Sequence, residues 1–190
     1  MDHKAVLHDY LRQGRAALLW KLEGLSEHDV RRPLTPTGTN LLGLVKHVAS
    51  VEAGYLGDCV GRPFPVPLPW FAPDAEPNAD MWVPAEESRA SVLDLHRQAA
   101  AHADASIEAL PLDAPAHVPW WREGSRDTTL QRLLVHLVAE THRHAGHADL
   151  VRELVDGAAG LRAAAPNLPD DLDWAAYRER LEDSARRAQG

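Results

Sequence analysis

The order of apolar and polar positions along the chain predicts helices and no strands. The longest helical pattern runs from Leu130 to Asp156. At about 100° per residue, Leu133, Leu137, Thr141, Ala148, Val151 and Val155 fall on one face. Thr128-Thr-Leu-Gln131 has the form of a capping box, with Asp127 adding negative charge where the helix dipole favours it. Gly157 supplies the stop, since glycine tolerates the left-handed backbone that ends a helix.

Three further long helices are expected. The first spans His3 to Gly24, with Val6, Tyr10, Ala17, Leu18 and Leu25 in helical spacing and Gly14 as a weak point. Ser26 to Pro36 predicts one short helical turn and then a loop, because Pro33 and Pro36 block continuation. Thr39-Asn40 caps a second helix from Leu41 to about Asp58 or Val60, with Leu44, Val48, Val51 and Tyr55 inside. The third is expected from Ala85 to Leu110, with Pro84 at its first position and Glu86-Glu87 in its first turn. Its inner face carries Val92, Leu95, Ala99, His102, Ser106 and Ala109. A charged C-terminal helix, Asp171 to Ala188, presents Trp174, Tyr177 and Leu181 as a narrow face, to dock on the body or on a second subunit.

Two connections are long. Gly61 to Pro84 holds most of the prolines, which exclude regular helix and a central strand. Phe64, Trp70, Phe71 and Trp82 within it argue for an ordered loop packed over the helices. Pro111 to Arg126 contains Val118-Pro-Trp-Trp121, whose indoles either plug one end of the helices or line a pocket. Trp120, Trp121 and Trp82 are therefore the candidates for touching a substrate. Four main helices without a strand pattern make an all-α, four-helix bundle the expected architecture. A single domain is expected over 1–190, the bundle taking 1–157 and a loop and helix 158–190.

Composition narrows the function classes. The formal net charge of −8 and the lack of a Lys/Arg cluster argue against a nucleic-acid partner. No apolar run approaches the ~18 residues of a membrane span, and Met1-Asp-His-Lys-Ala-Val lacks the layout of a signal peptide. Cys59 is the single cysteine, which leaves no disulfide framework and no cysteine-based zinc site. A cytoplasmic protein is expected. The histidine count of 11 changes the picture because several cluster.

With His136 as zero, the apolar stripe of the last bundle helix centres at roughly 95°. His144 at about 80° and Glu140 at about 40° lie inside it; His147 and His136 flank it, and His142 points away. A buried carboxylate and imidazole four residues apart must find partners, and a divalent metal is one. A lone core histidine is ordinarily hydrogen-bonded rather than metal-bound, so a hydrogen-bonded core network stays open as the alternative. A histidine on a facing helix tips the balance. His47, beside Leu44 and Val51, is placed to be that third ligand. Glu52 reads as a surface charge, and His96 and His102 as exposed or hydrogen-bonded.

The stretches Thr39-Asn-Leu-Leu-Gly-Leu-Val-Lys-His-Val-Ala-Ser-Val-Glu52, Val118-Pro-Trp-Trp121 and His136-Leu-Val-Ala-Glu-Thr-His-Arg-His-Ala-Gly-His-Ala-Asp149, joined by Glu86-Glu-Ser-Arg89, carry a family resemblance. The chain resembles the DinB-like superfamily of metal-binding four-helix bundles, in particular an actinobacterial branch that includes the mini-circle proteins. The resemblance implies a divalent metal held by one histidine of the second helix and two residues four apart on the last. It is similar in this to the mycothiol-dependent maleylpyruvate isomerases, which use a His, Glu, His set. Carried over, the set is His47, Glu140 and His144, with Glu140 where the all-histidine version has histidine. Such donors suit zinc first, and nickel, iron or manganese as well.

The resemblance further implies a low-molecular-weight thiol of the mycothiol type as co-substrate. The expected function is S-transfer to, or isomerisation of, a small electrophile, because coordination deprotonates a thiol and the thiolate is the nucleophile. His136 or His147 would orient the ligands or shuttle a proton. A metal-dependent hydrolase and a non-enzymatic metal- or ligand-binding stress-response protein are the alternatives.

Overall fold

The computed structural model describes residues 2–166 and 168–188. It is predominantly helical, with α1 His3–Leu19, α2 Glu27–Arg31, α3 Leu41–Leu56, α4 Arg89–Ala109, α5 Leu130–Asp156 and α6 Trp174–Arg187. A two-stranded antiparallel ribbon, β1 Pro115–His117 and β2 Asp127–Thr129, sits between α4 and α5. Three-residue strands are too short to show an alternating pattern, and so the sequence predicts none.

Helix α3 occupies the centre. Leu41, Leu42, Leu44, Val45, Val48, Ala49 and Leu56 are all buried, and α3 packs on both α4 and α5 while α1 packs on α5. Asn40 starts it, its side chain accepting the Gly43 N–H at 2.8 Å. It ends at Leu56, earlier than expected, and Asp58–Val60 form a separate 3-10 turn.

Helix α1 packs through only part of the face its apolar residues suggest, with Ala17 and Leu18 buried as expected. Val6 and Tyr10 are 37% and 52% exposed, whereas His8, Leu11, Arg15 and Leu18 are buried. The reason is an ionic cluster inside the helices. Arg15 pairs with both Glu52 carboxylate oxygens, and its Nη1 donates to Asp104 at 2.7 Å. His8 Nε2 also meets Asp104 at 2.7 Å. Glu52 is thus not a surface charge: it is 1% exposed, and Arg15 makes its burial tolerable.

Two helix starts differ from the sequence expectation. Helix α4 begins at Arg89, with Ser88 as the cap accepting from Ser91 N–H at 3.0 Å, rather than at Pro84. The preceding residues form a turn whose Val83, Pro84 and Glu87 carbonyls accept from the Arg31 guanidinium. The Glu87 carboxylate turns to Lys46 at 3.1 Å. Helix α5 begins where expected, but the capping box does not form. Thr128 is paired in the ribbon with Ala116, and Thr129 caps without a side-chain bond. Its first N–H groups donate instead to backbone, Leu130 to Ala114 at 3.0 Å and Gln131 to Leu112 at 2.9 Å. Gly157 ends α5 at φ 80°.

The Pro-rich connection is packed. Phe64, Val66, Leu68 and Trp70 lie against Ala49, Ala53, Leu95 and Ala99, and Trp70 Nε1 donates to Ser50 at 2.9 Å. Its last part seats directly on α3: a Cβ on Gly43 would come within 1.9 Å of the Met81 carbonyl oxygen. Helix α6 buries none of its described residues; Trp174 and Leu181 are 45% and 51% exposed.

Candidate metal centre and cavity

Packing of α3 on α5 brings His47 opposite the Glu140–His144 pair. Glu140 Oε1 lies 2.9 Å from His144 Nε2 and 3.7 Å from His47 Nε2. The two imidazoles stand edge to face, with ring centroids 4.7 Å apart. One ligand atom from each of the three residues lies within 4.8 Å of the others. Atoms bound at ~2.0–2.2 Å to one tetrahedral ion sit about 3.3–3.6 Å apart, and the two measured separations bracket that spacing. Two imidazole nitrogens and a carboxylate oxygen therefore suit a divalent ion in donor type, and they stand close enough together to share one after small side-chain shifts.

The local electrostatics agree. Burial, then the neighbouring His47, push the His144 pKa below that of an ordinary imidazole, so the ring is neutral and offers a lone pair. Burial opposes the charge on Glu140, but the hydrogen bond from His144, with His47 adding to it, outweighs it. The net effect holds the Glu140 carboxyl below the usual range, and it is ionised. Buried His144 Nδ1 has no hydrogen-bond partner among the described residues.

Asp80 is the residue that sequence reasoning missed. Its Oδ2 accepts a hydrogen bond from His47 Nδ1 at 2.6 Å, leaving Nε2 to face Glu140. Carboxylates commonly fix the tautomer and ring orientation of ligating histidines in this way. Asp80 follows His47 by 33 residues in an irregular loop, so no periodicity could have flagged it. The seat of Met81 on Gly43, and the donation of Asn40 Nδ2 to the Met81 carbonyl at 3.1 Å, bring it there.

A cavity of about 1020 Å³ opens beside these residues. Its helical wall carries His47 and Tyr55 of α3 and His136 and Glu140 of α5, the connection between β1 and β2 adds Trp120, and the Pro-rich connection supplies Phe64, Val66, Leu68 and Phe71. Tyr55 is clamped, its hydroxyl accepting from Trp120 Nε1 at 3.0 Å and Trp121 Nε1 at 2.8 Å. His136 stacks edge-on against Tyr55 and Trp121, at 4.9 and 5.3 Å between centroids.

The expected site residues thus separate. Trp120 lines the cavity; Trp121 stands behind Tyr55 and His136, outside the lining. Trp82 is also outside the lining and 44% exposed, because Lys46 and Asn40 draw the backbone around it, not its ring, toward α3. His147 lies on the far side of His144, with ring centroids 5.3 Å apart. His102 donates to the Arg62 carbonyl at 2.6 Å and His142 to that of Tyr10 at 3.0 Å, both away from the trio. A second cavity of about 640 Å³ lies between Trp20, Arg152 and Trp174. The Arg152 donors there are spent on Asp156 and on the Lys21 and Glu23 carbonyls.

Fold and site together define a predominantly helical protein with a three-donor nitrogen and oxygen cluster at the edge of an aromatic-walled cavity. Residues 6–157 match the model of the mycothiol-S-transferase family, and the chain belongs to that family, a DinB-like one. No protein of curated function matches its sequence.

Proposed function

We propose that this chain is a divalent-metal-dependent thiol S-transferase that joins a mycothiol-type thiol to a small electrophile. The convergence of His47, Glu140 and His144 at a roomy cavity carries the reading. Three protein ligands leave coordination positions open, the layout of a catalytic rather than a structural site. A bound divalent ion, zinc in the first place, supplies a Lewis acid that lowers the pKa of a thiol. The family name adds the class of thiol.

The residues of the chain do the rest. Asp80 holds the His47 ring, and ionised Glu140 lowers the net charge of the site. Tyr55, fixed by two indoles, and Trp120 give the electrophile an aromatic wall. His136 lines the cavity beside Glu140 and takes the thiol proton. The sulfur lone pair forms a bond to the electrophilic carbon. The bond from that carbon to its leaving group breaks, and the leaving group departs with the electron pair.

In this reading the four long helices form a DinB-type four-helix bundle within a single domain, to which 158–190 adds a loop and a helix. The enzyme works in the cytoplasm, where low-molecular-weight thiols are kept reduced. The test is divalent-metal content together with thiol-dependent conjugation of monochlorobimane, for the wild type and His144→Ala. The wild type is expected to bind one ion per chain and turn over, and the variant to lose both. Equal and negligible metal content in the two refutes the proposal.

A further inference from the structure

We propose that the cavity selects by charge, so that the second substrate is a neutral or cationic electrophile on an apolar body and anionic electrophiles are excluded. The inference rests on the transferase reading for the word electrophile, and on the cavity lining with the ion and thiolate of that reading in place for the charge.

The charged side chains among the lining residues are Asp58, Asp80 and Glu140, with no lysine or arginine beside them. The basic groups of the surrounding segments are committed elsewhere. Lys46 pairs with Glu87 and stacks over Trp70, Arg62 donates to Ser106, and Arg132 lies over the outer Trp121 ring at 5.0 Å, outside the lining. Asp58 is exposed and forms no ion pair among the described residues, and Asp80 faces only His47. A divalent ion, the Glu140 carboxylate and a thiolate sum to zero charge. The thiol proton on His136 adds one positive charge, but the carboxylates of Asp58 and Asp80 outnumber it, so the lining stays net negative and repels a second anion. The apolar walls formed by Phe64, Val66 and Leu68, all partly buried, lower the local dielectric and strengthen that repulsion. The same walls and the Trp120 ring suit an apolar body, and an aromatic face tolerates a cation.

The experiment uses one scaffold in three charge states. Ligand-observed NMR titration measures binding of para-(hydroxymethyl)benzoate, its methyl ester and para-(hydroxymethyl)benzylamine. The protein is loaded with zinc and saturated with N-acetylcysteine methyl ester. The ester and the amine are expected to bind at least ten-fold more tightly than the carboxylate. The gap should shrink as salt is raised and narrow in Asp58→Asn. Carboxylate binding equal to that of the ester overturns the proposal. The matching benzyl chlorides, assayed for thiol-dependent turnover above the uncatalysed rate, separate the two readings. Charge-ordered binding without turnover supports charge selection and counts against the transferase, whereas turnover without charge-ordered binding does the reverse.

Discussion

Replacing Glu52 by glutamine tests the ionic cluster at the heart of the helices. Glu52 is 1% exposed and Arg15 6% exposed, and Arg15 Nε donates to Glu52 Oε2 at 3.0 Å. Burial opposes the charge on Arg15, but Glu52 and then Asp104 outweigh it and raise the Arg15 pKa above its usual value. In the variant the guanidinium stays charged because of its own intrinsic basicity. Removing one partner of a buried pair costs about 3–5 kcal/mol, because the other charge is left uncompensated. Asp104, at 2.7 Å from Arg15 Nη1, remains, and glutamine keeps one accepting oxygen, so the lower end applies. The expected loss is about 3 kcal/mol, or about 6–12 °C in melting temperature for a chain of this size. Urea unfolding at pH 7 reads it directly. Metal content should be unchanged, since Glu52 faces Arg15 and not the cavity. A loss under 1 kcal/mol would refute the argument that this pair is a desolvated, mutually dependent unit. Arg15→Met adds a signature of its own. Burial already pushes the Glu52 carboxyl up against the pull of Arg15, and without Arg15 it takes a proton on folding. Stability of that variant should therefore fall as pH rises above the ordinary glutamate range, because the folded state binds the extra proton.

Other expectations follow from single residues. Burial, and then Arg15, hold His96 at about 4 against 6.5 for a free imidazole. Its contribution is complete above pH 6.5 and is lost as pH falls toward 4, about 3 kcal/mol in all. His96→Leu should flatten that part of the stability–pH curve at little cost at pH 7, since buried His96 Nε2 has no partner among the described residues. Asp80→Ala should weaken zinc binding about 10–100-fold in chelator competition while leaving the melting temperature of the metal-free protein nearly unchanged. Gly43→Ala places a Cβ 1.9 Å from the Met81 carbonyl oxygen, so the connection must lift. A loss of about 1–3 kcal/mol and faster proteolysis within 61–84 are expected, and wild-type protection would sink the idea of a close seat.

Much of the helical layout was legible in order along the chain. The face of α5 stands out because Leu133, Leu137, Thr141, Ala148 and Val151 recur at helical spacing, and all five are buried. Asn40 and Gly157 mark helix ends through local backbone chemistry, which neighbours in sequence determine. The same angular arithmetic singled out Glu140 and His144, since ionisable groups inside an apolar stripe break the pattern. What tertiary structure alone decided are the pairings between distant segments. Arg15 turns inward because Glu52 and Asp104 wait on other helices, and that rotates the packed face of α1 away from Val6 and Tyr10. Thr128 gives up a capping box for a ribbon partner, and Ser88 replaces Pro84 as the start of α4 because Arg31 claims the carbonyls before it. Asp80 reaches His47 only because glycine at 43 lets a loop backbone touch α3. Periodicity is a property of adjacent residues, so it reveals which face of a helix is apolar. Which group on another segment meets that face depends on how the loops close, and no local pattern encodes it.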